Sequence, residues 1–196
     1  MEKPAPVQFP LHDLLRRRWS PLAFDADRPV APETLHRLFE AARWAASCNN
    51  AQPWSYIVAV KAEDPAQFEK LAASLVPGNA WAKHVPVLAL SVAHTIFPQN
   101  GNPNRHAYHD VGAASASLTF QAMQEGLFVH QMAGFDAEKA RASLGIPEGY
   151  EPVAMMAIGY PGDPAKLDEK GNARQFGPRH RNEQDQFVFY KDWKKR

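Results

Sequence analysis

The sequence of 196 residues has one cysteine and no long apolar run, and each shortage argues against a class of protein. A lone cysteine, Cys48, cannot form an intramolecular disulfide, which fits a reducing compartment. The longest apolar stretches, such as 85–93, are far too short to cross a bilayer. The N-terminus lacks the apolar segment of a secretory signal. We therefore expect a cytoplasmic location and no membrane partner.

The chain also lacks a dominant charge and the common catalytic motifs. Its 22 basic and 21 acidic residues give a net charge of +1, so no general field attracts nucleic acid, and an anion site must be built locally. Neither G-x-S-x-G, a Walker loop nor G-x-G-x-x-G is present. His106 and His109 lie three residues apart beside Asp110, but no third ligand stands out, so no metal site is expected.

Helical and strand patterns alternate along the chain. Apolar periodicity and cap residues predict helices over 11–18, 32–46, 65–76, 107–125 and 137–144, and strands over 55–60, 85–93, 128–132 and 152–160. This alternation is typical of a layered α/β or α+β domain with one core. Residues 94–106 form a polar loop between two elements, which is often a lid or binding segment.

Two basic runs lie near opposite ends of the sequence. Arg18-Trp19-Ser20 ends the run of three arginines at 16–18, and Arg179 and Arg181 alternate in an extended segment. Guanidinium groups and a serine hydroxyl suit a phosphate, because arginine offers forked, charge-assisted donors. Taken alone, each run is more often a solvated basic surface.

Two further segments offer polar groups at the ends of predicted elements. The turn at 47–54 carries Asn50 and Gln52, whose amides suit the C=O and N–H edges of a planar heterocycle. A helix-terminating loop explains the same residues. Gly134 follows a strand and permits close backbone approach, although an ordinary strand-to-helix turn has the same composition.

Taken in order, these segments resemble the nitroreductase family of FMN-dependent NAD(P)H oxidoreductases. The resemblance covers about 11–190 and rests on five matches, which are Arg18-Trp19-Ser20, the segment ASCNNAQPW at 46–54, Gly134-Phe135, Gly159-Tyr160-Pro161, and the pair Arg179 and Arg181.

The resemblance implies an α+β fold with a central mixed sheet flanked by helices, in an intertwined homodimer that holds FMN at its interface. Residues 1–196 would form a single FMN-binding domain. Its first ten residues would be a flexible N-terminus, and 161–196 a tail that crosses to the partner. An apolar run at 187–190 fits such a tail.

The resemblance also implies roles for individual residues. The cofactor-binding set is Arg18, Trp19, Ser20, Ser47, Cys48, Asn50, Met132, Ala133, Gly134, Arg179 and Arg181. Within it, the arginines and Ser20 surround the phosphate and ribityl chain, the 47–50 turn of the other subunit faces the ring, and backbone groups at 132–134 lie near N5. His106, Tyr108 and His109 are candidates to contact the acceptor.

The activity implied is a two-step cycle, in which NADH or NADPH reduces FMN and leaves, and a nitroaromatic or quinone then binds and is reduced. No residue of the chain needs a catalytic acid–base role, because the cofactor carries the chemistry. The alternatives are a flavin-binding carrier or sensor without turnover, and a family variant that dehalogenates or destroys flavin.

Two departures from the family pattern bear on the site. Leu22 stands where a basic residue is frequent, so one usual contact is expected to be lost or supplied elsewhere. Ala46 and Cys48 stand where proline and serine are usual, so the ring-facing turn is expected to be looser and less polar.

Overall fold

The computed structural model of the chain describes residues 2–193. Residue 1 of the predicted N-terminal segment and residues 194–196 of the predicted tail lie outside this range. The helices are α1 (Asp13–Arg17), α2 (Pro32–Arg43), α3 (Pro65–Ala72), α4 (Ala107–Gln124), α5 (Ala137–Leu144) and α6 (Glu169–Phe176). The strands are β1 (Trp54–Val60), β2 (Val87–His94), β3 (Phe128–Met132) and β4 (Tyr150–Gly159).

The four strands form one sheet in the order β1-β2-β4-β3, and every neighbouring pair is antiparallel. The α+β class is confirmed, but the expected mixed sheet is wrong for the described residues. β2 and β3 do run in the same direction, because α4 returns the chain to the starting edge between them. The two strands are not neighbours, however, because β4 inserts between them and runs against both.

The core occupies both faces of this sheet. Side chains of β2 alternate between the faces, so that Leu88 and Leu90 pack with Phe68 of α3, while Val87 packs with Leu118 of α4. This two-sided burial explains why 85–93 is apolar at every position except Ser91. α2 lies beside α4 on the second face, where Leu38 is fully buried.

The ends of several elements follow the sequence signals closely. Asp136 caps α5 by accepting the Lys139 N–H at 2.9 Å, and Gly145 ends that helix in the left-handed region at φ 65°. β3 and α5 have the predicted bounds. α2 and α3 end at Arg43 and Ala72, three and four residues before the predicted ends.

The two longest helical segments that were not predicted are α6 and a 3-10 segment at Pro77–His84. α6 contains a glycine and an asparagine in its first half, which weakens any helical pattern. The 3-10 segment likewise has no clear periodicity. Within residues 2–193, no helix is long and apolar enough to cross a membrane.

Candidate functional site

The two basic runs predicted from the sequence meet in the folded chain. Arg18 follows α1, is half-buried, and donates through Nη1 to the Ser20 hydroxyl at 3.3 Å. Arg179 donates through Nη2 to the Arg18 carbonyl at 2.8 Å. Arg181 lies close enough for its charge to act on both other guanidinium groups. We call Arg18, Arg179 and Arg181 the arginine cluster.

The arginine cluster carries positive charge without a counter-charge. Burial lowers the pKa of Arg18, and the charges of Arg179 and Arg181 lower it further. The pKa of Arg179 is lowered by burial and then by the charge of Arg181. No carboxylate of residues 2–193 forms an ion pair with any of the three. An arrangement of this kind favours a bound anion.

The neighbouring arginines behave differently. Arg16 pairs with Asp13 at 2.9 Å, and Arg17 lies 3.4 Å from Asp13 and 3.9 Å from Glu2. These two guanidinium groups therefore have local acidic partners, and Arg18 is distinguished from them by burial and by its unpaired charge.

A cavity of about 240 Å³ opens beside the cluster, and we call it the α4 cavity. Its lining comprises Arg18, Ser20, Ala116, Thr119, Phe120, Val129 and Gln131. Gln131 donates to the Thr119 hydroxyl at 3.3 Å, and that hydroxyl donates to the Ser115 carbonyl at 2.7 Å. The cavity thus combines apolar walls, one amide and, at one end, a guanidinium. Small residues of α4 leave the space for it.

The predicted ring-facing turn has three residues with left-handed backbone. Asn49, Asn50 and Gln52 have φ values of 52°, 53° and 48°, in the left-handed region that asparagine tolerates better than most residues. The Ser47 hydroxyl accepts the Gln52 N–H at 3.0 Å. We call residues 47–52 the asparagine turn.

A buried carboxylate anchors the asparagine turn to α4. Asp110 is 3% exposed and accepts the Cys48 backbone N–H at 2.9 Å, while its other oxygen contacts His109 Nδ1 at 3.0 Å. Asp110 and Thr119 are nine residues apart on α4, which corresponds to about 14 Å along the helix axis. The asparagine turn therefore lies away from the α4 cavity of its own chain.

The segment after β3 is held by its neighbours. Gly134 accepts the Asn79 side-chain amide at 2.9 Å, and a Cβ added at Gly134 would lie 2.5 Å from the Asn79 Nδ2 atom. The close approach predicted for this glycine is therefore made to the 3-10 segment. Met132 is buried and Ala133 is exposed, directly after the cavity residue Gln131. Asn79 carries no sequence signal for this contact.

Comparison with known proteins identifies the family. Residues 15–160 match the profile of the nitroreductase family. The chain belongs to the nitroreductase family. It is therefore an oxidoreductase with the nitroreductase fold. A solved structure described as an oxidoreductase containing FMN has 31% sequence identity and a TM-score of 0.89, over 97% of this chain and 96% of that chain.

The chain is also similar to two relatives known from sequence. An NADH dehydrogenase of Thermus thermophilus is 29% identical over 166 residues, which cover 69% of this chain and 79% of the relative. An uncharacterized protein of Mycolicibacterium smegmatis is 39% identical over 126 residues, or 64% of this chain and 84% of the relative.

Two residues of the family's N-terminal motif point into the protein. Trp19 is buried, packs edge-on against Phe128 with ring centroids 6.1 Å apart, and is covered by Lys3. Leu22 is also buried, and its N–H donates to the Gln175 side chain at 2.8 Å. Both side chains therefore belong to the protein interior. Lys3 and Gln175 were missed by sequence reasoning, because each contacts residues more than 150 positions away.

The three candidates for acceptor contact lie at the start of α4. His106 is half-buried and precedes the helix, whereas Tyr108 and His109 are exposed. They lie on the same end of α4 as Asp110, and therefore near the asparagine turn. Across residues 2–193, no group of three or more His, Cys, Asp or Glu side chains is arranged to hold a metal ion.

Proposed function

We propose that the chain binds FMN, with its phosphate held by Arg18, Ser20, Arg179 and Arg181. The observation that carries the proposal is the arginine cluster beside the α4 cavity, half-buried at Arg18 and without an acidic partner in the described chain. This donor set fits a phosphate dianion, which would offset the repulsion among the guanidinium groups. FMN in a structurally similar oxidoreductase supports the same cofactor.

The flavin ring would occupy the α4 cavity, with Met132, Ala133 and Gly134 near one edge. The cavity of about 240 Å³ is smaller than most ligand pockets, which span about 300–1,000 Å³, so further walls are needed. We propose that a second copy of the chain supplies them through Ser47, Cys48 and Asn50. The separation of the asparagine turn from its own cavity supports this exchange.

Exposed apolar side chains support the homodimer that such an exchange requires. Phe187 and Val188 are exposed, Tyr190 is 95% exposed and Trp193 is 80% exposed. Apolar side chains that reach so far into solvent are typical of surfaces that another chain covers. The proposal therefore includes a tail, within 161–196, that crosses to the partner.

When bound, FMN would accept a hydride from NADH or NADPH and pass electrons to an electron-poor acceptor such as a nitroaromatic or a quinone. The residues of the chain would hold the cofactor, exclude water and position the acceptor. His106, Tyr108, His109 and the loop at 94–106 are proposed to contact that acceptor. A cytoplasmic location, expected from the single cysteine, belongs to the same proposal.

The proposal is tested with the purified protein in two steps. A flavin absorption spectrum with releasable FMN is expected, followed by anaerobic bleaching with NADH or NADPH and recovery on addition of a quinone. A colourless protein that takes up no FMN would overturn the proposal. Bound FMN that neither nicotinamide reduces would indicate a carrier or sensor. Halide release from a halogenated phenol, or irreversible loss of flavin, would indicate the variant chemistries.

A further inference from the structure

The N-terminal segment, residues 2–8, lies outside the part of the chain that matches the family profile, yet it is bound beside the arginine cluster. Ala5 N–H donates to the Arg16 carbonyl at 2.8 Å. Lys3 Nζ donates to the Gln175 carbonyl at 2.6 Å, and the Gln8 side chain bonds to Glu183. These contacts tie both ends of the chain together at the proposed phosphate site.

The segment contributes directly to the position of Arg179. The Arg179 guanidinium donates to three backbone carbonyls, those of Lys3 at 2.7 Å, Arg16 at 3.2 Å and Arg18 at 2.8 Å. The shortest of these bonds is made to the N-terminal segment. These three bonds use Nη1 and Nη2 of Arg179, and none of them uses its Nε–H.

The contact at Lys3 orients the guanidinium without neutralising it. A carbonyl oxygen carries only a partial negative charge, whereas a carboxylate would compete with phosphate for the same donors. The Lys3 ammonium is directed elsewhere, onto the Gln175 carbonyl and 5.1 Å from the centroid of the Trp19 ring. The group of Lys3 that orients Arg179 is therefore its main-chain carbonyl.

We propose that residues 2–8 form a strap that orients Arg179 toward the bound phosphate, so that the strap is a positioning element of the cofactor site. This inference rests on the proposed FMN site. The strap contacts the arginine cluster, where the phosphate of FMN would bind, and lies outside the lining of the α4 cavity, where the flavin ring would bind. Loss of the strap should weaken FMN and leave riboflavin, which lacks the phosphate, little affected.

Two variants remove the strap by different routes. Deletion of residues 2–8 removes all of its bonds, and Ala5→Pro removes only the N–H that donates to the Arg16 carbonyl. Phe9→Ala, at an exposed side chain just beyond the strap, is the matched control. Thermal unfolding of each variant checks that it folds.

Dissociation constants for FMN and riboflavin are measured by quenching of flavin fluorescence. The deletion should raise the FMN constant by about tenfold, because it removes the charge-assisted bond between Arg179 and the Lys3 carbonyl. Ala5→Pro removes one neutral bond that holds the strap and should raise the constant by about threefold. The riboflavin constant should change by less than about twofold in both variants. Phe9→Ala should change both constants by less than about twofold, because its exposed side chain lies beyond the strap. In an Arg179→Ala background, deletion should cause no further loss, because the group it orients is gone.

Different outcomes would overturn the role of the strap and the assignment of FMN as the cofactor. Equal weakening of FMN and riboflavin, full additivity with Arg179→Ala, or unchanged FMN affinity in both strap variants would overturn the strap. Failure of the unaltered protein to bind FMN would instead overturn the proposed function.

Discussion

The arginine cluster and the asparagine turn are built by opposite means. The cluster joins residues 161 positions apart, Arg18 and Arg179, and relies on guanidinium charge without a nearby acid. The turn forms within six residues and relies on left-handed backbone fixed by a buried carboxylate. α4 carries Asp110 at one end and the α4 cavity toward the other. We propose that these two regions are the two half-sites of a cofactor site shared between two copies, and that they perform separate tasks.

The largest effect should come from removing charge from the cluster. Arg18→Ala should weaken FMN binding by about 1–3 kcal/mol, because a charge-assisted contact is lost, while riboflavin binding changes little. Arg181→Ala should act in the same direction. Arg17→Ala is the control, since Arg17 pairs with Asp13 at the surface and should matter little. Isothermal titration with each ligand measures the differences. Unchanged FMN affinity in both cluster variants would refute the phosphate site.

The asparagine turn should respond differently to loss of its anchor. Asp110→Ala leaves the Cys48 N–H without its acceptor, which should cost about 1–3 kcal/mol of unfolding free energy. FMN and riboflavin affinities should then fall together, because the turn is proposed to meet the ring. Asp110→Asn, which keeps an acceptor oxygen, should recover part of the loss. Urea unfolding measures the free energy of unfolding, and titration with FMN and riboflavin measures the two affinities. If the FMN affinity fell and the riboflavin affinity did not, the turn would act on the phosphate as the arginine cluster does, and the proposed difference between the two half-sites would be wrong.

A smaller, pH-dependent effect should come from His130, which lies between the cavity residues Val129 and Gln131. Its Nδ1 atom bonds the Pro21 carbonyl at 2.7 Å, and burial, despite that bond, lowers its pKa. As pH falls through the unfolded value of about 6.5, the unfolded chain takes up a proton before the folded chain does, so stability decreases.

The free energy of unfolding should therefore rise between about pH 5 and pH 7, and His130→Asn should flatten that slope. Denaturant titrations at each pH measure it, with His109→Asn, at an exposed histidine beside the turn, as the comparison. If His130→Asn left the pH dependence of the free energy of unfolding unchanged, His130 would not be its source.

Local signals in the sequence predicted much of the fold. Strong periodicity and caps gave α5 and β3 their bounds, and a run of apolar residues identified β2. Local signals could not predict the order of strands in the sheet, because the insertion of β4 between β2 and β3 depends on long-range pairing. α6 was missed because Gly171 and Asn172 weaken its helical pattern, although Asp168 caps it by accepting the Gly171 N–H at 2.6 Å.

The candidate site likewise has features that local sequence signals predict and features that depend on long-range contacts. Arg18, Arg179 and the asparagine turn could be named from short motifs. The anchoring carboxylate of Asp110 and the backbone contact from Lys3 could not, because nothing in their local sequence marks a partner so far along the chain. The burial of Leu22 was likewise hidden, since the motif indicates which residue type is usual there and not where its side chain points.

The exchange of half-sites between two copies can be tested by mixing defective chains. Arg18→Ala damages the arginine cluster, and Asn50→Asp adds to the turn a negative charge that should slow reduction of bound FMN. Neither variant alone should reduce a quinone efficiently at an FMN concentration that saturates the unaltered protein.

Co-expressed and differently tagged, the two variants yield mixed dimers in which one site carries both defects and the other carries neither. Isolated mixed dimers should recover up to about half of the unaltered activity, by the symmetry of a two-fold interface. Activity no greater than the mean of the two single variants would show that each chain completes its own site, and would contradict the account.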